Sequence, residues 1–237
     1  SNGDVLLSAA LIKNLYANFD SPKIDVLVND DTLSVAKILP NINKIYTFSY
    51  EKKRSSRWTQ EKDIIKHLFR KYDLSINLTA SDRSVIYALL ASKNSISAIE
   101  QDSYKSWWKK IFLKNYYIFD LSKHVLSNNL KPLSFLKINA QKVLFEPKIS
   151  KKAFESIKQR LDKMGVKNFL IFHPSAQYKY KIYPKHLRDM LLKKMSTLGI
   201  TILVTGADNK IDIEIKKELP VLPNIFDFIG ETTLEEY

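Results

Sequence analysis

Residues 168–184 read Asn168-Phe-Leu-Ile-Phe-His-Pro-Ser-Ala-Gln-Tyr-Lys-Tyr-Lys-Ile-Tyr-Pro184. Four consecutive apolar side chains, Phe169 to Phe172, predict a short strand. The loop that follows carries a histidine, a serine and two lysines. A helical pattern then runs from Pro184 to Leu198, with the proline at a first-turn position where its missing N–H costs nothing. The same alternation continues on both sides. Upstream, 151–164 is a helix closed by Gly165. Downstream come a strand at 200–204, a turn at Thr205-Gly206, a helix at 208–219 and a strand at 224–228. Strands separated by helices of this length predict a parallel sheet and an α/β class.

The first half repeats the alternation. Leu7, Leu11 and Leu15 recur at four-residue spacing and predict one helix over 5–19, preceded by a loop at Gly3-Asp4. Strands are predicted at 24–28, 44–48, 74–78 and 95–99. Helices are predicted at 31–39, 58–70, 83–91 and 122–136. The pattern is weakest around 145–150, which places a boundary between a domain at 1–148 and a second at 149–237. Both ends look cut: no strand precedes the first loop, and the second series holds about three strands where a sheet usually has five or six. The second domain is thus expected to be incomplete.

With 237 residues, 45% of them hydrophobic, the chain can bury two cores. It has no apolar run of about 18 residues and therefore no predicted membrane-spanning helix. No signal-peptide pattern opens it. Cysteine is absent, which excludes disulfides and thiolate metal sites and suits a cytoplasmic location. The four histidines show no i, i+4 pair, and no metal site is expected. The net charge of +13 calls for an anionic partner, unless the lysines serve only as a solvated coat.

Four constellations can carry chemistry. Asp4, between a glycine and an apolar helix, reads either as an N-cap or as a general base at the edge of a sheet. Gly3 beside it allows close approach of a substrate to the backbone. In the 173–183 loop, Ser175 offers a hydroxyl, Lys179 and Lys181 offer charge, and backbone N–H groups and a helix N-terminus complete a plausible diphosphate cradle. A tyrosine- and lysine-rich surface loop is the plain alternative, and His173 reads as a structural hydrogen-bonding histidine. Thr205 and Gly206 form a strand-to-helix turn on the same side. Lastly, Lys52-Lys-Arg-Ser-Ser-Arg-Trp58, with Lys53, Arg54 and Arg57, and Lys105-Ser-Trp-Trp-Lys-Lys110 interleave basic residues with tryptophan.

In order and spacing, several segments resemble the heptosyltransferases of glycosyltransferase family 9. They are Gly3-Asp-Val-Leu-Leu-Ser-Ala-Ala-Leu11, 24–28, Pro40-Asn-Ile-Asn-Lys-Ile45, Lys71-Tyr-Asp-Leu-Ser-Ile-Asn-Leu78, His124 with Asn129-Leu130, His173-Pro-Ser-Ala176, Lys181-Ile-Tyr-Pro184 and Thr205-Gly206. Within that family the likeness is strongest to the inner-core type III enzymes. The resemblance implies a GT-B fold, two Rossmann-like domains facing across a cleft. It implies an inverting, metal-independent transfer of heptose from ADP-heptose to the anionic lipopolysaccharide core, at the cytoplasmic face of the inner membrane. No cofactor is implied. Asp4 becomes the catalytic base, and Ser175, Lys181, Thr205 and Gly206 become donor ligands. Gly3, Lys53, Arg54 and Arg57 fall to the acceptor. Two departures stand out: the family's later Asp-(Ser/Thr)-x-x-x-His segment is absent, and position 176 is alanine where some members carry a hydroxyl. The rival readings are a glycosyltransferase using another nucleotide sugar and a basic nucleic-acid-binding protein. Against the latter, the lysines are scattered and no nucleic-acid motif is present, so no nucleic-acid partner is expected.

Overall fold

The computed structural model describes residues 1–51, 57–141, 147–176 and 179–237, and the chain divides into two compact units, Ser1–Lys148 and Ile149–Tyr237. In the first unit β1 (Ile24–Asn29) pairs with β2 (Ile42–Phe48). A second sheet holds β3 (Ser75–Asn77), β4 (Ser95–Ile99) and β5 (Asn115–Ile118) in that order. Every described pairing is parallel. The four predicted strands of this half are all present. β5 and the helix Ser103–Phe112 before it lie outside the elements that the apolar periodicity predicts.

The two-residue period of β1 divides its side chains between two cores. Val26 and Val28 pack with Ala9, Ile12, Ala36 and Leu39. Leu27 faces the other way, onto Phe48, Ile64, Leu68, Tyr87 and Ala91. That second cluster joins the sheets, because Tyr87 and Ala91 belong to the helix Asp82–Ala91, which lies against β3 and β4. A polar tie crosses the same joint. The Tyr72 hydroxyl donates to Asp25 on β1 at 2.8 Å, and Asn43 of β2 donates to the other oxygen of that carboxylate at 2.8 Å. Burial and the Asp25 carboxylate together push the Tyr72 phenol well above its usual range. β4, the middle strand, is buried along its whole length.

Two predicted helices are broken. The expected 5–19 helix begins earlier and splits into Asn2–Leu7 and Ala9–Asn18, with the Ser8 hydroxyl donating back to the Val5 carbonyl at 2.6 Å. Residues 122–136 contain Val125–Leu130 and Pro132–Phe135, because Pro132 cannot donate to the Asn128 carbonyl. His124 caps the first of these, its Nδ1 accepting the Leu126 N–H at 3.2 Å. Asn128 then ties that helix to the loop after β5, donating to the Asp120 carbonyl at 2.8 Å and accepting from its N–H at 3.0 Å.

The second unit is a parallel sheet ordered β6 (Phe169–Phe172), β7 (Thr201–Gly206), β8 (Ile225–Ile229). Its core is Leu192, Ile202, Val204, Ile215 and Ile229, with Phe172 and Ile182 packed against it. The Ser150 hydroxyl accepts the Ala153 N–H at 3.2 Å and starts the helix Lys151–Lys163. Gly165 follows that helix at φ +68°, a left-handed angle that a glycine adopts without strain. The predicted helix and strand pattern holds throughout this unit, with two adjustments. Pro184 stands just outside the helix Lys185–Ser196, and Thr205-Gly206 finishes β7 instead of forming a turn.

Candidate functional site

Because β6, β7 and β8 are parallel, their C-terminal ends share one edge of the sheet. Ligands of open α/β sheets bind outside that edge. The register sets Phe172 beside Val204, Thr205 beside Phe228 and Gly206 beside Ile229. His173, Thr205 and Gly206 therefore emerge together, although 32 residues separate the first two.

His173 links the two sequence-predicted donor residues. The Thr205 Oγ1 lies 3.3 Å from its Nδ1, and the Ser175 Oγ lies 3.2 Å from its Nε2. A neutral imidazole has one donor and one acceptor nitrogen, and a hydroxyl can serve either, so both contacts hold in either tautomer. Thr205 is buried, whereas His173 is exposed and also meets the Tyr237 ring edge-on at 6.0 Å between centroids. The buried threonine thus anchors the exposed start of the loop. Ile182, at the loop's far end, is anchored by the core. Between these anchors Lys179–Lys181 form a short 3-10 turn, with the Lys181 ammonium 5.7 Å above the Tyr180 ring. Residues 173–188 contain no carboxylate. The first acid after them, Asp189, pairs with Lys185 at 2.7 Å. Its burial favours the neutral acid, but hydrogen bonds from Lys185 and Arg188 outweigh that and hold its carboxyl below the usual range.

Gly206 is closely packed. A Cβ there would stand 3.2 Å from Asp212 Cγ and 3.2 Å from Ile229 Cγ2. Asp212 is itself buried and accepts the Ala207 N–H at 2.6 Å and the Asn209 amide at 2.8 Å, fixing the turn that leaves β7. Past β8, Gly230 donates back to the Gly206 carbonyl at 3.0 Å. Glu231 then receives Lys216 at 2.7 Å and the Arg160 guanidinium. The hydrogen bond from Lys216, more than any other cause, draws its carboxyl below the usual range.

The first unit places its predicted residues less tightly. The capping residue of the helix Asn2–Leu7 is Ser1, not Asp4. Asp4 stands at the third helical position, exposed, with its carboxylate accepting the Ser1 hydroxyl at 3.0 Å and lying 3.1 Å from the Ser1 amino group. This is the reciprocal capping box of a serine followed three residues later by an acid. Gly3 lies in the same helix, not in a loop. Lys53, Arg54 and the Arg57 side chain lie outside the described residues. Sequence reasoning missed one buried cluster in this unit. Lys109, with no exposed surface, sets its ammonium 2.6 Å from Glu100, 2.8 Å from Asp82 and 2.5 Å from the Ala80 carbonyl, at the C-terminal end of β4. Among the described residues no group of His, Asp and Glu side chains gathers as a metal site, and no helix is long and apolar enough to cross a membrane.

Two parallel-sheet units, one with an acid-free basic loop anchored at its strand ends, define an α/β protein with the layout of a GT-B glycosyltransferase. The fold matches known structures. A glycosyltransferase family 9 structure from Veillonella parvula DSM 2008 superimposes with a TM-score of 0.80 at 16% identity, over 100% of this chain and 68% of that one. The E. coli heptosyltransferase WaaC with ADP-2-deoxy-2-fluoro heptose gives 0.73 at 13% identity, over 100% and 75%. In sequence, the chain is 26% identical over 247 residues to lipopolysaccharide heptosyltransferase 3 of Escherichia coli, covering 99% of this chain and 71% of that protein. The family model of glycosyltransferase family 9 (heptosyltransferase) matches residues 62–237, and the chain belongs to that family.

Proposed function

We propose that the protein transfers heptose from ADP-heptose to the lipopolysaccharide inner core, by an inverting and metal-independent route. The observation that carries this reading is the His173 link, which draws Ser175 and Thr205 to one sheet edge beside an acid-free loop. An anionic diphosphate suits that edge: Lys181 supplies a point charge, the Ser175 hydroxyl and loop N–H groups supply hydrogen bonds, and the close packing at Gly206 keeps β7 low beside the ligand. The unit 149–237 is accordingly the donor side and the unit 1–148 the acceptor side. Asp4 takes the proton of the attacking acceptor hydroxyl as the bond to the anomeric carbon forms and the ADP diphosphate leaves. Gly3 gives the acceptor access to the backbone. Lys53, Arg54 and Arg57 meet the phosphorylated core. The protein works in the cytoplasm, held peripherally at the inner face of the inner membrane, and nucleic acid is not its partner.

The likeness to an E. coli lipopolysaccharide heptosyltransferase 3 supports the acceptor class, and the WaaC structure with an ADP-heptose analogue supports the donor. The test is calorimetry of the full-length protein with ADP-heptose and a panel of other nucleotide sugars, followed by turnover of whichever binds. Tight binding and consumption of ADP-heptose alone is the expected outcome. Preference for another nucleotide sugar would overturn the donor assignment, and salt-sensitive binding of RNA or DNA without sugar transfer would overturn the whole reading.

A further inference from the structure

The helix Ser103–Phe112 is built inside out. Ser106 and Lys109 face the protein and are fully buried, while Tyr104, Trp107 and Ile111 are 85%, 60% and 68% exposed. At 3.6 residues per turn those three side chains form one outward stripe, and the exposed Lys105 and Lys110 flank it at roughly 100–120° on either side. Phe112 widens the stripe at its end, and the exposed Lys114 follows it. The orientation is held firmly. Trp108 packs against the cluster of Val85, Ile99 and Leu113, and Lys109 is locked by Glu100 and Asp82. Residues 103–119 hold four lysines and no acidic side chain.

We propose that this helix face is the element that seats the protein on an anionic lipid bilayer, an inference that rests on the peripheral membrane contact proposed above. Tryptophan and tyrosine favour the headgroup level of a bilayer, with ring bodies in the apolar zone and polar tips in the wet one. Flanking lysines lay their methylene stems along the same boundary and reach lipid phosphates with their ammonium groups. An apolar stripe bordered by cations is the pattern of a helix lying in the interface plane. The charge selects the partner: exposed Lys105, Lys110 and Lys114 border the stripe, while the nearby acids are the capping Asp102 and the Glu100 and Asp82 already engaged by Lys109, so the outward face suits a surface of anionic headgroups over a neutral or cationic one.

The full-length protein is floated with phosphatidylglycerol-containing vesicles and with pure phosphatidylcholine vesicles, at low and high salt. The wild type should rise with the anionic vesicles only, and less so as salt increases. The pair W107S/I111S and the pair K105E/K110E should each lower partitioning by about tenfold or more, since each removes one of the two contributions to interfacial binding. These positions are exposed, so thermal melting should be unchanged. Independently of folding in those variants, bromine-labelled lipids should quench the wild-type tryptophan emission, and Trp107→Phe should lose most of that quenching while still floating. Equal flotation of wild type and W107S/I111S would overturn the assignment of this helix and leave the membrane contact standing on another surface. A wild type that ignores anionic vesicles would overturn the membrane contact itself. A dimer that dissociates in W107S/I111S would assign the face to a second copy of the chain and overturn the lipid proposal.

Discussion

Thr205→Val isolates the contact on which the proposed donor edge depends. The substitution keeps the β-branched shape that the strand and core require and replaces one hydroxyl with a methyl. Thr205 is 4% exposed, so little else changes. The lost contact, Oγ1 to His173 Nδ1, is 3.3 Å long, at the weak end of hydrogen-bond geometry. Its net worth should therefore fall in the lower half of the usual range, about 0.5–1 kcal/mol. His173 is exposed, so water replaces the hydroxyl and no buried-group penalty is added. Stability should drop by no more than a few degrees in Tm. If the contact orients the loop for the diphosphate, the same energy appears in donor binding as a roughly 2–5-fold weaker Kd for ADP. Thr205→Ser keeps the hydroxyl and should restore ADP affinity even if it lowers Tm. His173→Ala, which also releases Ser175, should weaken ADP more than Thr205→Val does. Calorimetry and thermal melting on these three variants decide the matter. Equal ADP affinity in Thr205→Val and Thr205→Ser would show that the hydroxyl does not position the loop.

Four further outcomes are expected. Asp4→Asn should lower kcat by roughly 10²–10⁴ with little change in donor Kd; near-normal turnover would leave Asp4 a helix-capping residue. Lys181→Ala should weaken ADP binding by about 1.5–3 kcal/mol, the range for hydrogen bonds to charged groups, and unchanged calorimetry would refute its role. Reversing charge at Lys53, Arg54 and Arg57 together should raise the acceptor KM and spare the donor Kd, with an unaltered KM counting against the acceptor assignment. Lys109→Met should destabilise the protein by about 2–3 kcal/mol in urea unfolding, below the 3–5 kcal/mol of a fully buried broken pair because water reaches its carboxylates; a wild-type midpoint would mean that Glu100 and Asp82 need no cation.

The strands were legible where apolar residues run consecutively or nearly so, as at Ile24–Asn29 and Phe169–Phe172, even though Phe169, Leu170 and Ile171 remain exposed. β5 was not, because Asn115–Ile118 is short and only Tyr117 turns fully inward. Helix breaks escaped for a local reason. Periodicity registers which face is apolar and is blind to a Ser8 hydroxyl bonding back or to a Pro132 that lacks its N–H. The misplacement of Asp4 was avoidable: Ser1 followed three residues later by Asp4 is the written signature of a capping box, and the acid of that signature sits inside the helix, not at its cap. The His173–Thr205 contact could not be read from spacing. It exists only once β6 and β7 are paired in register, which brings residues 32 apart in sequence to neighbouring strand ends.

The helix Ser103–Phe112 marks where reading by burial fails in principle. A search for helices assumes that the apolar stripe faces the core. Here the stripe of Tyr104, Trp107 and Ile111 faces out, and the fully buried side chains, beside a partly buried Trp108, are a serine and a lysine. Lys109 can be buried only because Glu100, Asp82 and the Ala80 carbonyl are already in place to receive it, three partners contributed by two separate segments of the fold. A buried lysine without such partners would lose its proton or unfold the site. The polar interior of this helix is thus supported by tertiary structure, and nothing local in the sequence announces it. What the sequence does carry is the outer face: aromatic residues set among lysines with no acid between them. That pattern marks the segment as a binding surface, and the fold explains why, since a stripe that the core does not bury remains available to a partner.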